Sequence, residues 1–121
     1  MSRTALVVDD SASMRKMVSH TLRQAGFVVV EGADGSEGLV HLDAQKVDVV
    51  ITDLNMPVMD GFEFITRLRG RVQYRFTPVL MLTTEHTDAK KQQGRAVGAT
   101  GWIVKPFNPS QLLQVIGRVL P

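Results

Sequence analysis

Residues 47–64 read VDVVITDLNMPVMDGFEF. Val47 to Thr52 is a short, β-branched apolar run that stops at Asp53, and Asn55, Pro57 and Asp60-Gly61 follow it. A run of this kind, closed by turn residues, predicts a buried strand. Asp53 then stands at the strand's carboxyl end, where open α/β sheets place their ligands. Nothing structural demands a carboxylate there, so the functional reading begins at Asp53.

The flanking sequence repeats the pattern. TALVV (4–8) predicts a first strand running into Asp9-Asp10, with Ser11 or Ser13 as the cap of a helix. Met14, Met17, Val18, Thr21, Leu22 and Ala25 recur at helical spacing and are expected to face the core, with Arg15, Lys16, His20 and Arg23 outward. Gly26 stops that helix, and Phe27 to Val30 predicts a second strand. Asp34 and Glu37, and again Asp60 and Glu63, have capping-box spacing and open two more helices. GRVQYRFT (70–77) reads as a basic loop, and VLMLTT after Pro78 as a fourth strand ending at Thr83-Thr84. A polar helix over about 88–98, with Gly94 inside it, leads to a short fifth strand at 101–104 and then Lys105-Pro106. Asn108-Pro109 is a cap followed by Pro at the first helical position, and it opens a last helix with Leu112, Leu113, Val115, Ile116, Val119 and Leu120 on its apolar face. Five strands alternating with five helices imply one doubly wound parallel sheet covered on both faces.

The chain has 121 residues, 44% of them hydrophobic, which is the size and composition of one domain with a real core (1–121). A net charge of +2 is too small to argue for a nucleic-acid partner. No cysteine is present, so neither a disulfide framework nor a thiolate metal site is available. The N-terminal apolar stretch is five residues long and ends in two aspartates, unlike a signal peptide. No run approaches the ~20 apolar residues that span a bilayer. The expectation is a soluble, cytoplasmic domain without a membrane partner.

The carboxyl ends of the strands carry Asp9 and Asp10, Asp53, Thr83 and Thr84, and Lys105; strand two offers Glu31, a weaker candidate because nothing else converges on it. A parallel sheet brings all these ends to one edge. Unit charges ~4 Å apart repel by about 4 kcal/mol at an effective dielectric near 20. Three carboxylates against one ammonium leave a deficit of about two charges, so either some protonate or a cation binds, and a hard divalent ion fits that deficit. Oxygen ligands without His or Cys point to Mg2+ or Mn2+. Such a site is suited to bringing a phosphoryl group to Asp53 as nucleophile, with the cation and Lys105 neutralising its oxygens.

The segments VVDDSASMRKMV, ITDLNMPVMDG, LMLTTE and GATGWIVKPFNPSQL make the chain resemble the receiver domains of two-component response regulators, above all the chemotaxis regulators of the CheY type. The resemblance spans nearly the whole chain. It implies a flavodoxin-like sheet of order 2-1-3-4-5. It implies that Asp53 accepts a phosphoryl group from the phosphohistidine of a CheA-type histidine kinase. Asp10, Asp53 and the Asn55 backbone carbonyl would hold Mg2+, with Asp9 acting partly through water. Thr83 and Lys105 would bind phosphoryl oxygens, and the Lys105-Pro106 bond would be cis. Trp102 takes the place of the switch aromatic, usually Tyr or Phe, and its larger indole is expected to be harder to pack inward. The surface of helix four, strand five and helix five, with Lys90, Lys91, Arg95 and Trp102, would meet a protein target such as the flagellar motor switch. A phosphatase is a further partner, and a monomer is expected.

The same residues bear on other functions. A receiver acting as a phosphate sink needs no motor target. A Mg2+-dependent aspartyl-phosphate phosphatase needs an acid two residues after its nucleophile, where this chain has Asn55. A flavin module needs a phosphate-cradling loop after strand one, where Asp9-Asp10 would repel phosphate. The chain shows no output domain, so binding or phosphoryl storage is the expected output rather than enzymatic turnover.

Overall fold

The computed structural model describes residues 2–121. Strands β1 (Thr4–Val8), β2 (Val28–Gly32), β3 (Val49–Thr52), β4 (Val79–Thr83) and β5 (Gly101–Val104) alternate with helices α1 (Ala12–Gln24), α2 (Gly35–Ala44), α3 (Gly61–Arg69), α4 (Asp88–Val97) and α5 (Pro109–Val119). The strands form one parallel sheet in the order β2-β1-β3-β4-β5, as the resemblance implies. The order reverses at β1, whose next neighbours are β2 on one side and β3 on the other. The carboxyl ends of β1 and β3 therefore flank the switch point where such sheets bind ligands.

Side chains alternate across the sheet with period two. Leu6, Val8, Val50 and Met81 face α2 and α3, where they pack with Leu42, Phe64, Ile65 and Leu68. Ala5, Val7, Val49, Ile51, Leu80 and Leu82 face α1 and α5, where they meet Val18, Leu22, Leu112 and Ile116. Burial of a side chain such as Phe64 contributes roughly 1.5–3 kcal/mol.

The helix starts follow their caps. Ser11, rather than Ser13, accepts the Met14 N–H; Asp34 accepts Glu37 N–H, Asp60 accepts Glu63 N–H, and Asn108 accepts Gln111 N–H. The two capping boxes do not close fully. Glu37 reaches back to Ala33 N–H, and Glu63 turns along its helix to pair with Arg67 at 2.8 Å.

α1 is rotated relative to its apolar periodicity. Met17 is 56% exposed and Ala25 is exposed, while Ser19 is buried and the Arg15 side chain is mostly covered. At 3.6 residues per turn, Arg15, Val18, Ser19 and Leu22 centre on a direction about 150° from Met17. The rotation turns Arg15 toward the end of β2, and the pairing found there explains it. The basic loop after α3 holds a short 3-10 turn, Val72–Tyr74, anchored by the buried Tyr74. Among the described residues no helix is long and apolar enough to cross a membrane.

Candidate functional site

β1 delivers Asp9 and Asp10 and β3 delivers Asp53, with one carboxylate oxygen from each lying within 4.8 Å of the others. Asp9 and Asp53 are buried and Asp10 is exposed. The main chain locks both ends in place: Asp53 N–H donates to Val8 O at 2.9 Å, and Asp9 N–H to Gly32 O at 3.1 Å. Asp9 Oδ1 accepts Ser11 N–H at 2.9 Å, and Asp53 Oδ1 accepts Leu54 N–H at 2.7 Å.

Lys105 closes the cluster. Its Nζ donates to Asp9 Oδ2 at 2.8 Å and to Asp53 Oδ2 at 3.1 Å. Its own N–H donates to Thr83 O at 2.8 Å, and the following bond to Pro106 is cis. Burial pulls the ammonium pKa down, but the hydrogen bonds and charges of Asp9 and Asp53 outweigh it and the net shift is upward. Three carboxylates and one ammonium leave two uncompensated negative charges. Each carboxylate pair at this spacing repels by about 3–4 kcal/mol at an effective dielectric near 20.

The other expected residues lie around this centre. Thr83 ends β4 fully buried, and its hydroxyl accepts Glu85 N–H at 3.4 Å. Asn55 is exposed in the loop after β3. Trp102 on β5 lies with its ring centroid 6.4 Å from that of Phe62, and its Nε1–H donates to Glu85 O at 2.8 Å. A Cβ at position 94 would come within 2.7 Å of the indole, so the glycine inside α4 provides the room the larger ring needs. Lys90 sits over the Phe62 ring at 5.8 Å. Lys91 and Arg95 border a hollow of about 90 Å³ that Trp102 also lines. A far larger groove, about 1040 Å³, lies at the amino ends of the strands near Arg3, Asp48 and Pro78, so cavity size does not mark the chemistry here.

Other groups do converge on Glu31. Arg15 Nε donates to its Oε1 at 3.1 Å, Arg23 Nη2 to its Oε2 at 3.4 Å, and His41 Nε2 lies 2.9 Å from its carbonyl oxygen. Arg15 Nη1 also donates to Asp9 O at 2.8 Å. Apolar periodicity hid this connection, because it assigned Arg15 to solvent. The signal was a carboxylate at the end of β2 with two arginines eight apart on the preceding helix.

The sequence matches the response regulator receiver domain over residues 5–117. The chain belongs to the response regulator receiver family. This receiver domain is 38% identical to the chemotaxis protein CheY1 of Helicobacter pylori over 117 residues, covering 95% of this chain and 94% of that one. It is 34% identical to the regulatory protein VanRc of Enterococcus gallinarum over 98% of its own length, but spans only 49% of that protein. Its fold superposes on the crystal structure of the Vibrio cholerae chemotaxis protein CheY4 with a TM-score of 0.96 and 57% identity, over 99% of this chain and all (100%) of that one. It is a receiver of the CheY type. Receiver domains are phosphoacceptors rather than conventional enzymes, they work with a histidine kinase and a target protein, and the family generally binds Mg2+. The donors of this receiver domain fit such an ion: three carboxylates, no His or Cys, and two negative charges left to neutralise.

Proposed function

We propose that this receiver domain is a chemotaxis response regulator whose Asp53 accepts a phosphoryl group from the phosphohistidine of a CheA-type kinase. An Asp53 carboxylate oxygen attacks phosphorus, the P–N bond breaks, and the imidazole leaves with its electron pair and takes a proton. Asp10, Asp53 and the Asn55 carbonyl would hold Mg2+, with Asp9 beside them; when bound, the ion supplies positive charge opposite the phosphoryl oxygens. Lys105 exchanges a carboxylate oxygen of Asp53 for a phosphoryl oxygen, and the Thr83 hydroxyl donates to another. The observation that carries this reading is the bridging of Asp9 and Asp53 by Lys105, at 2.8 and 3.1 Å, inside an acidic cluster. A largely covered ammonium already paired with the acceptor needs only a short shift of partner to meet the charge as it develops.

Phosphorylation changes the charge at Asp53 by about −1, because the second phosphate pKa lies near 6. Thr83 and the loop to Glu85 reposition, and Trp102 is tied to that loop through Glu85 O. The output is altered binding by the surface with Lys90, Lys91, Arg95 and Trp102, and the flagellar motor switch is the proposed target. A phosphatase that hastens loss of the phosphoryl group is a further partner. The similarity to CheY1 and CheY4, both chemotaxis proteins, supports a chemotaxis role.

The test is intact-protein mass after incubation with acetyl phosphate, with Mg2+ or with chelator, for wild type and Asp53→Asn. One added phosphoryl group that requires both Mg2+ and Asp53 is expected. A gain that persists in Asp53→Asn refutes the assignment.

A further inference from the structure

We propose that Arg15 is the positioning residue of the metal-binding loop, fixing the Asp9–Asp10 peptide so that the Asp10 carboxylate meets the divalent cation, and that Glu31 holds Arg15 in place. This inference rests on the reading of the acidic cluster as a Mg2+ site.

Asp10 is exposed, and among the described residues its carboxylate makes no hydrogen bond or ion pair. No side-chain partner holds it, so what the protein fixes is the backbone from which its Cβ departs. The unit from the Asp9 carbonyl to the Asp10 N–H is planar, so holding its oxygen fixes the plane from which Asp10 departs. Arg15 Nη1 holds that oxygen at 2.8 Å. The guanidinium is itself restrained, because Nε donates to Glu31 Oε1 at 3.1 Å and the side chain is only 17% exposed. Glu31 is anchored in turn by strand pairing, opposite Val7 of β1. A rigid chain of contacts thus runs from β2 through Glu31 and Arg15 to the peptide before Asp10. The fork presents two separate nitrogens, Nε and Nη1, one to each acceptor, whereas a lysine on the same stem offers a single nitrogen.

The charge of Arg15 works against cation binding, which makes the proposal easy to separate from simple electrostatics. Removing a positive charge beside the cluster would tighten Mg2+ binding. Removing a positioning residue weakens it, and loss of a partner one shell out from a metal typically costs 10–100-fold in affinity.

The experiment is isothermal titration of Mg2+ into wild type, Arg15→Ala, Arg15→Lys and Asp10→Asn, without phosphodonor, with circular dichroism melts run alongside. Arg15→Ala and Arg15→Lys are each expected to bind Mg2+ about 10-fold more weakly or worse. With acetyl phosphate, both should need correspondingly more Mg2+ for half-maximal phosphorylation and reach the wild-type rate at saturation. Unchanged or tighter binding by Arg15→Ala overturns the proposal. Wild-type affinity in Arg15→Lys overturns it too, and this variant decides the matter if Arg15→Ala does not fold. Wild type that binds no Mg2+, or binding that survives Asp10→Asn, removes the metal-site reading and this proposal with it.

Discussion

The indole of Trp102 occupies the space that a side chain at position 94 would need: a Cβ there would lie 2.7 Å from Cζ3. Trp102 also donates from Nε1 to Glu85 O, so one ring joins α4, β5 and the loop after β4. Gly94→Ala adds about 1 kcal/mol of helix propensity but forces the rigid ring to move and breaks that hydrogen bond, worth about 1 kcal/mol. The two effects nearly cancel in stability and do not cancel in ring position. Trp102 is the single tryptophan of the chain, so its fluorescence reports directly. The emission maximum is expected to move to longer wavelength in Gly94→Ala while the urea midpoint changes little. An unshifted spectrum would show that the ring does not depend on the glycine.

Lys105 compensates two buried carboxylates at once. Lys105→Met is expected to destabilise the metal-free protein by about 3 kcal/mol, the lower range for breaking a buried ion pair. Mg2+ should restore much of the loss, because the ion neutralises the same oxygens. Thermal melts of both proteins with Mg2+ and with chelator check this. A gap that Mg2+ leaves unchanged would contradict the shared neutralisation.

The pH dependence follows from the direction of each shift. Lys105 is held above its ordinary 10.5, so its contribution is complete below 10.5 and is lost as pH rises through the raised value. Asp34 is the reverse. Glu37 N–H and the Ser36 hydroxyl hold it below 3.8, so its contribution is complete above 3.8 and is lost as pH falls through the lowered value. Urea unfolding across pH should show the difference between wild type and Lys105→Met constant near neutrality and shrinking well above 10.5. The benefit of Asp34 over Asp34→Asn should shrink only below 3.8.

Arg69 makes four contacts with carbonyl oxygens: two to Gly98 O, at 2.8 and 3.2 Å, and one each to Tyr74 O and Thr77 O. It ties the end of α4, where Gly98 adopts φ +109°, to the loop after α3. Burial lowers its pKa, yet an arginine stays charged at any working pH. Arg69→Lys cannot span these acceptors and is expected to cost about 2 kcal/mol, with faster amide exchange at Gly98 and Ala99. Equal exchange at those amides in the two proteins would show that α4 does not depend on this anchor.

The boundaries of the elements were legible because their signals are local. Asp34, Asp60 and Asn108 cap the helices at the positions their sequence contexts indicate, and a β-branched run stopping at Asp53 has few readings other than a buried strand. Arg15 and Met17 lie opposite to the directions expected of them for a common reason: apolar periodicity records what a helix can bury, not which way tertiary contacts turn it. Glu31 attracts Arg15 inward, and the carbonyls of Leu42 and Gln45 draw the Tyr74 hydroxyl under the loop.

Sequence by itself determined the alternation of strands and helices, the parallel sheet, and the residues that meet at its carboxyl edge. It could do so because strand ends of a parallel sheet share one side whatever the details of packing. Tertiary structure alone decided the rest: that Lys105 bridges Asp9 and Asp53, that Gly94 makes room for Trp102, and that Arg15 grips the peptide before Asp10. Each of these depends on approaches of a few ångströms between groups on different elements, which the pattern of residue types along the chain does not report.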